Sequence, residues 1–576
     1  MTSDAAQQDT PVAVSRDGGR GAEALAALRA RWQLPAAILF GRLRFACMQP
    51  LHRSSLYRAS LGHARSGVPA LEPPDPWPGT RARGRELLES RYRFNGQMLT
   101  APAPLWNPPD SDAAWRAGLH GFGWLRDLRA VGGDVARRRA RELVGEWIAA
   151  HPGPLRDAWA PATTGRRLAN WLGQYGFFAA TGKPSFRDAM AESMVRQARY
   201  LARVLPAGLT GADMIAAIKG LILAGVCLKE GRSWLHQGLE LLDAELTRQV
   251  LVDGGHVERS PAAHDAVFRD LIDIRGTLAA AGHETPRGIS LTIESMSAML
   301  RLFQHGDGRL ALFNGGHEAD NEGLDMALHR AGVRTRAHSA APQSGFQRLH
   351  AGRTLVLVDV GAPPPPGHDT RAHAGPLAFE MSDGRKRLVV NCGAHPGQGS
   401  LWPFQRATAA HSTVTLDARN AAELLPGGGM GRRPEHVLCR REEAEGAILL
   451  EMSHDGYLRN LNARHRRRLY LGANGDDLRG EDRIEAPGGL AFAVRFHLHP
   501  EVQTWTAPNG GAILLQPRGG GCWRFQAAGA APELAESIYL GDGQTVQRTR
   551  QIVLAGTTEA VGTLIKWAFK REGDEA

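Results

Sequence analysis

Cysteine is scarce in this sequence, and its distribution excludes a disulfide framework. The chain of 576 residues contains five cysteines, which lie far apart and form no CxxC pair. Small secreted domains that depend on disulfides place their cysteines much more densely. The cysteine pattern therefore predicts a reducing compartment.

Long apolar runs are also missing. No stretch reaches the roughly 18 apolar residues that a membrane-spanning helix needs. The polar N-terminal segment MTSDAAQQDTPVAVSRDGG holds no apolar core followed by a small-residue cleavage site. The sequence predicts neither a membrane span nor a secretory signal, so we expect a cytoplasmic protein.

Lysine is nearly absent, although the chain is basic. Only six of the 69 basic residues are lysine, and the net charge is +10 with an isoelectric point of about 9.7. The basic residues are spread along the chain without aromatic clustering, which argues against a nucleic-acid partner. Guanidinium groups match carboxylates and sulfates with two hydrogen bonds, so an acidic polymer fits this composition. A biased codon usage would produce the same ratio.

What is present is the composition of a folded protein, with 43% hydrophobic and 22% charged residues and enough length for two or more domains. From about 83 to 335, apolar residues recur at helical spacing. In residues 134–151, DVARRRARELVGEWIAAH, one stripe is formed by Ala136, Ala140, Leu143 and Trp147. Serial helices of this kind, without a sequence repeat, predict an (α/α) toroid.

Near residue 336 the pattern changes to short, alternating, β-rich runs. Examples are RTLVLVDV, RLVVNCG, RRRLYLGA and AFAVRFHLH, with turn residues between them. Many strands without intervening helices predict a large antiparallel β-sandwich over 336–570. The predicted fold class is multidomain α+β, with an irregular extension at 1–82, the toroid at 83–335 and then the sandwich.

The extension contains two segments with helical character. The first, AEALAALRARW at 22–32, predicts a short helix. The second, LPAAILFGRLRFACM at 34–48, predicts an amphipathic helix that lies either on the body of the protein or on a membrane surface. Peripheral membrane contact through the basic stretch 36–60 is therefore an open alternative.

Histidine-bearing stretches are the first candidates for chemistry. They are DGGHVERSPAAHD, DTRAHAGPLAFEMSDG, RATAAHSTVTLD and RFHLHP. In the last, His497 and His499 share a strand face with Arg495, which predicts a half-exposed polar face. The segment RNLNARHRRRLYL at 459–471 alternates charged and apolar residues and predicts a solvated strand face.

Five segments follow one another along the chain, namely LHGFGWLRDLRA, RLANWL, DGGHVERSPAAH, HGDGRLALFNG and RATAAHSTVTLD. Together they resemble the heparinase II/III-like polysaccharide lyases, and the resemblance runs from about residue 85 to 570. It implies an (α/α) toroid followed by an antiparallel β-sandwich, in agreement with the residue patterns. It also implies cleavage of uronic-acid polysaccharides by β-elimination. Because most such lyases are exported, a periplasmic location is the alternative to the cytoplasm.

β-Elimination requires that the C5 carboxylate is neutralised, that a base removes the C5 proton and that an acid protonates the leaving O4. In the family, an Asn-His pair, a tyrosine and a histidine meet these needs. The segment ADMIAAIKGLILAG resembles the helix with the Asn-His pair and has Ala212 and Asp213 there. The segment ERSPAAH has Ala263 at the tyrosine position and keeps His264.

The segment RAHAG resembles the family segment with the catalytic histidine and has Arg371 at that position. The resemblance further implies that His373, Asn391 and His411 occupy the positions of three metal ligands, with Asn391 in place of an aspartate. A divalent metal, zinc or calcium, would be held there. The alternative is a hydrogen-bonded polar cluster, because a neutral amide is a much poorer ligand than a carboxylate.

Two functional hypotheses follow. The first is a lyase for an acidic polysaccharide or oligosaccharide, in which Arg371 neutralises the substrate carboxylate and His256 or His264 acts as the base. The second is a glycan-binding or accessory protein of polysaccharide metabolism that keeps the lyase fold without cleaving. In both, the candidate substrate-binding residues are Trp159, Arg166 and Asp213.

Overall fold

The computed structural model describes residues 34–62, 68–154, 156–395, 401–507 and 510–573, so the predicted helix at 22–32 lies outside the described residues. The described part of the extension is not wholly irregular, because it forms helices α1 (Ala36–His52) and α2 (Ser55–Ser60). None of the helices in these ranges is both long and apolar enough to cross a bilayer.

The domain that follows is helical, as predicted. Its elements are α3 (Arg81–Leu88), the hairpin β1 (Arg91–Phe94) and β2 (Gln97–Thr100), α4 (Ala113–Gly121), α5 (Leu125–Val131), α6 (Gly133–Ala150), α7 (Pro161–Gly173), α8 (Tyr175–Phe178), α9 (Pro184–Val204), α10 (Gly211–Cys227), α11 (Arg232–Gln249), α12 (Pro261–Ala280), α13 (Arg287–Leu302) and α14 (Asn321–Ala331).

Helix packing explains the apolar spacing of these segments. All four residues of the stripe predicted on α6 are fully buried, which confirms it. Helix α10 is buried nearly all round, because it packs against α7, α11 and α12. The contact with α7 depends on glycine, since a Cβ added to Gly220 would lie 2.4 Å from the Cα of Gly165.

The second domain is an antiparallel sandwich of two sheets, as predicted. One sheet has the order β14-β15-β16-β19-β12-β11-β10-β9, and the other has the order β17-β18-β13-β7-β6-β5-β4-β3 with β8 paired to β13. The strands are β3 (Ala340–Ala341), β4 (Phe346–Ala351), β5 (Thr354–Asp359), β6 (Phe379–Asp383), β7 (Lys386–Val390), β8 (Val414–Leu416), β9 (Val437–Ala444), β10 (Ala447–His454), β11 (Arg464–Leu471), β12 (Asp477–Glu485), β13 (Ala491–Leu498), β14 (Val502–Thr506), β15 (Ala512–Pro517), β16 (Trp523–Ala528), β17 (Pro532–Tyr539), β18 (Gln547–Thr557) and β19 (Thr563–Arg571).

Strand β5 contributes side chains to two hydrophobic cores, one on each of its faces. Every residue of β5 is buried. Leu355 and Leu357 belong to the same hydrophobic core as the helices, whereas Val356 and Val358 belong to the core between the two sheets. The helical domain and the second sheet therefore cover opposite faces of this strand, which is why its sequence is continuously apolar.

A buried polar network joins the domains beside this apolar contact. The carboxylate of Glu380 on β6 accepts a hydrogen bond from His305 Nε2 at 2.9 Å and from the Leu312 amide at 3.1 Å. The Asn391 side-chain amide donates to the same carboxylate at 3.0 Å. The Arg387 side chain on β7 donates a hydrogen bond from Nε to the Asp307 carboxylate at 2.9 Å. Each bond except that of Asn391 connects the helical side of the interface to the sandwich.

The solvated strand face predicted for the segment 459–471 is present on one side of β11 only. His465 and Arg467 of β11 are completely buried and both bond to Asp482 at 2.7 Å, whereas Arg466 and Arg468 point to solvent. The predicted face is wrong for the inward half of the strand. Buried charges are tolerated there because they are paired.

Substitution of Glu380 by alanine tests the interdomain network. Removing this carboxylate leaves buried donors from both domains unpaired, so we expect a loss of about 3–5 kcal/mol in the free energy of unfolding. The measurement is urea denaturation followed by circular dichroism. The control is Glu451→Ala, which removes a surface pair with Arg468 and is expected to cost less than about 1 kcal/mol. Equal effects of the two substitutions would contradict the assignment.

Candidate functional site

A cleft of about 680 Å³ opens where the helical domain, the sandwich and helix α1 meet. The helical domain contributes the loop before α10 and the first turn of that helix. The sandwich contributes the segment 367–371 and Trp402, and α1 contributes Arg42 and Phe45. The cleft thus brings together residues far apart in sequence.

Asp213 and Arg371, both predicted as site residues, line this cleft. Arg166 reaches it from α7, with its guanidinium 2.5 Å from the Asp213 carboxylate in a half-exposed ion pair. Burial disfavours the charged carboxylate, but Arg166 and Arg371 outweigh it and hold the pKa of Asp213 below its ordinary value. Asp213 is therefore an anion whose charge the neighbouring arginines balance.

Glu258 is a cleft residue that the sequence interpretation missed. Its carboxylate accepts a hydrogen bond from the Ala212 backbone amide at 2.8 Å, at the start of α10. Gly211 has a φ of +60°, and a Cβ there would overlap the Glu258 carboxylate. Burial raises the pKa of Glu258 even though Arg371 opposes the shift. The position of Glu258 within the HVERSP motif was the feature of the sequence that could have indicated it as a site residue.

The two predicted bases do not line the cleft. His256 is buried, with Nε2 donating to the Gln249 side-chain oxygen at 3.0 Å, and burial lowers its pKa to about 3. His264 is buried on α12, with Nε2 donating to the Met296 carbonyl at 2.9 Å, and burial lowers its pKa to about 4. Both imidazoles are neutral supports of the local backbone.

Trp159 belongs to the core of the helical domain. It is 2% exposed and packs against Trp147 and Tyr200, so its ring offers no face to a sugar. Beside it, the buried Arg167 stacks on Trp147 with its guanidinium carbon 4.0 Å from the ring centroid. The partly exposed Trp402 lines the cleft instead. The guanidinium carbon of Arg406 lies 4.4 Å from the centroid of its ring.

His373 and His411, two predicted metal ligands, form a direct hydrogen bond. His411 Nδ1 donates to the Ala407 carbonyl at 2.8 Å, so its Nε2 accepts from His373 Nδ1 at 3.0 Å. Burial lowers the pKa of both rings and keeps them neutral. The two ring nitrogens are thereby paired with each other.

The third predicted ligand is engaged as well. The Asn391 side-chain oxygen accepts from the Ser412 amide at 3.0 Å, and its nitrogen donates to Glu380. Two imidazoles that bond to each other and a neutral amide with both ends paired do not fit zinc or calcium. The cluster instead connects the motif RATAAHSTVTLD to the interdomain network.

The polar face predicted for the RFHLHP segment is partly exposed at Arg495 and His499, but His497 is buried. His497 Nε2 donates to the Ala409 carbonyl at 2.9 Å, so its Nδ1 accepts from the Ser537 hydroxyl at 2.7 Å. His499 packs edge-on against Tyr539. The prediction is wrong for His497 because both faces of β13 are covered at this end of the strand.

A second cavity of about 560 Å³ lies in the helical domain. Ala212 lines both spaces, and Arg166 lines the second. The second cavity has seven basic and four acidic lining residues, namely Arg83, Arg91, Arg93, Arg126, Arg166, Lys219 and Arg269 against Glu86, Asp127, Asp270 and Asp273. Among the described residues, His368 is the only histidine that lines either space.

Family comparisons agree with this architecture. The model of the heparinase II/III N-terminus matches residues 105–332, and that of the heparinase II/III-like C-terminal domain matches residues 333–568. The chain belongs to the heparinase II/III-like family. Heparinase III has the same fold, with a TM-score of 0.69, 14% identity and coverage of 92% of this chain and 89% of that chain. For the heparan sulfate lyase HepC mutant from Pedobacter heparinus these values are 0.58, 17%, 96% and 90%.

Two curated relatives of this heparinase II/III-like chain carry different names. FtsZ-localized protein C from Caulobacter vibrioides is 31% identical over 545 residues, covering 90% of this chain and 93% of the relative. Heparin-sulfate lyase from Pedobacter heparinus is 23% identical over 363 residues, covering 55% of this chain and 54% of the relative. The first likeness spans both domains.

The direct histidine pair leads to a prediction about metal. We expect the purified protein to contain neither zinc nor calcium in stoichiometric amount, and chelation with EDTA to leave its thermal unfolding midpoint unchanged. Elemental analysis and differential scanning fluorimetry measure the two quantities. One equivalent of metal per chain that is lost in His411→Ala but kept in His436→Ala would show that the cluster binds an ion after all. His436 is the comparison because it lies on the surface with Glu435 and Asp455, in a group whose ligand atoms are close enough together to hold an ion. Loss of metal in His436→Ala alone would place the ion there.

Proposed function

We propose that this protein binds an acidic, uronic-acid-containing glycan in the cleft and does not cleave it. The observation that carries the proposal is where Arg371 and the two histidines predicted as bases lie relative to the cleft. Arg371 is exposed there, whereas the two predicted base histidines lie in the core. Arginine neutralises and orients a carboxylate but stays protonated.

Several contacts are available to such a glycan. Arg371 is placed to meet a carboxylate or sulfate, and the arginines of the second cavity extend the same chemistry along a chain of sugars. Trp402 supplies an apolar ring of the kind on which sugar faces stack. Asp213 and Glu258 bring negative charge close to the bound anion, which favours substrates whose hydroxyl groups donate to these carboxylates.

β-Elimination is the second candidate, and one arrangement favours it. Glu258, whose pKa is raised by burial, and His368, whose pKa burial lowers, both line the cleft with Arg371. A neutral imidazole can accept the C5 proton and a protonated carboxyl can deliver one to O4. In this mechanism Arg371 would neutralise the C5 carboxylate, as the sequence resemblance suggested.

The relative named FtsZ-localized protein C supports the non-cleaving proposal, because its printed name describes a location and no reaction. Since the likeness spans both domains, we extend the proposal to include association with FtsZ, which agrees with the expected cytoplasmic location. The cleft would then serve recognition at the site where FtsZ assembles.

Calorimetric titration with a panel of uronic-acid oligosaccharides tests glycan binding. We expect Arg371→Ala to weaken the affinity by about 10- to 100-fold, the value of hydrogen bonds to a charged group. Arg138→Ala is the matched control, since Arg138 is exposed on α6, away from the cleft. Absence of binding to every member of the panel, or equal affinities of the two variants, would contradict the proposal.

Ultraviolet absorbance of the unsaturated product distinguishes binding from elimination on the same panel. We expect no increase in absorbance, with or without added divalent metal. If absorbance rises, and both Glu258→Gln and His368→Ala abolish the rise while glycan binding persists, elimination by these residues replaces the non-cleaving proposal.

Co-sedimentation with polymerised FtsZ tests the association. We expect the protein to appear in the pellet only when FtsZ is assembled with GTP, and to stay in the supernatant with unassembled FtsZ. Equal sedimentation in both samples would remove FtsZ from the proposal and leave glycan binding unaffected.

A further inference from the structure

Helix α1 has an apolar face that no other part of the described chain covers. Phe40, Leu43 and Leu51 recur at helical spacing and are 69%, 54% and 48% exposed. The opposite face rests on the protein, where His52 packs against Tyr200. A surface helix normally turns a polar face outward, so an apolar outer face marks a contact surface.

Helix α2 extends this apolar surface. Leu56 is 80% exposed and stands close in sequence to the end of α1. We call the exposed apolar residues of the two helices the α1–α2 face, which consists of Phe40, Leu43, Met48, Leu51 and Leu56.

Charge around the α1–α2 face has one sign. The sequence contains no aspartate or glutamate between residues 24 and 71. Arg44 on α1, Arg58 on α2 and Arg53 between the two helices are exposed. Long arginine side chains can lie along an apolar surface while their guanidinium groups reach toward anions at its rim.

We propose that the α1–α2 face lies on the surface of a membrane rich in anionic lipid. An apolar strip along the length of one helix, flanked by arginines and free of acidic residues, matches the chemistry of the boundary between lipid headgroups and acyl chains. Helix α1 is not long and apolar enough to cross the bilayer, so it would lie in the plane of the interface.

A second copy of this chain is a poorer occupant of the same face. A symmetric contact places the same patch of each copy against itself. The exposed arginines of two copies would then face one another without acidic partners, which like-charge repulsion disfavours. The proposal is independent of glycan binding and of FtsZ, because it uses only the outward-facing residues of α1 and α2.

Sedimentation of the full chain with lipid vesicles tests the proposal. We expect binding to vesicles of phosphatidylethanolamine with about one third phosphatidylglycerol, and little binding to phosphatidylcholine vesicles. Arg44→Ala is expected to weaken binding about fivefold, the effect of one basic residue near an anionic surface. Raising the salt concentration should weaken the binding of the unaltered protein as well.

The apolar contribution is tested by Leu43→Glu, which we expect to abolish vesicle binding. Leu291→Glu is the matched control, because Leu291 is a similarly exposed leucine (52%) on the remote helix α13. Circular dichroism confirms that both variants are folded. Vesicle binding that is absent, that does not depend on phosphatidylglycerol, or that both glutamate variants lose equally would overturn the proposal. A dimer that Leu43→Glu converts to a monomer would also overturn it, since the face would then join two copies.

Discussion

The carboxylate of Glu380 is the constraint on which the rest of the molecule depends. It is fully buried at the seam between the helices and the sandwich and accepts hydrogen bonds from both. A buried carboxyl group needs its hydrogen-bond donors in place, so Glu380 requires a fixed arrangement of these partners. The walls of the cleft belong to different domains, and this seam sets their relative position.

The short turn that contains Glu258 and Arg259 connects this interface between the domains to the cleft. Glu258 faces the cleft, whereas its neighbour Arg259 points inward and pairs with Asp359 on β5. Arg259 has a φ of +52°, a left-handed conformation that non-glycine residues adopt rarely. The buried ion pair holds this conformation, and the conformation aims Glu258 at the start of α10. A structural interaction thus positions a candidate functional group.

The fold could be predicted because apolar residues recur at the spacing typical of a helix or of a strand. The burial predictions failed where a strand is covered on both faces. The stripe on α6 has one buried face, so its spacing was informative. Strand β13 alternates too, yet His497 is buried because the strand end is covered on both sides. In the site, Asp213 and Arg371 lie in the cleft where motif positions indicated. His256 and Glu258 are two residues apart, and only the fold decides which of them faces the cleft.

Helix α1 contributes to two surfaces at once. Arg42 and Phe45 of α1 line the cleft, while Phe40 and Leu43 point away from it. An α-helix with its side chains is about 10–12 Å wide. Whatever rests on the outer side of α1 is therefore separated from a molecule in the cleft by a single helix. If α1 lies on a membrane as proposed, a molecule in the cleft is held within about that distance of the membrane surface.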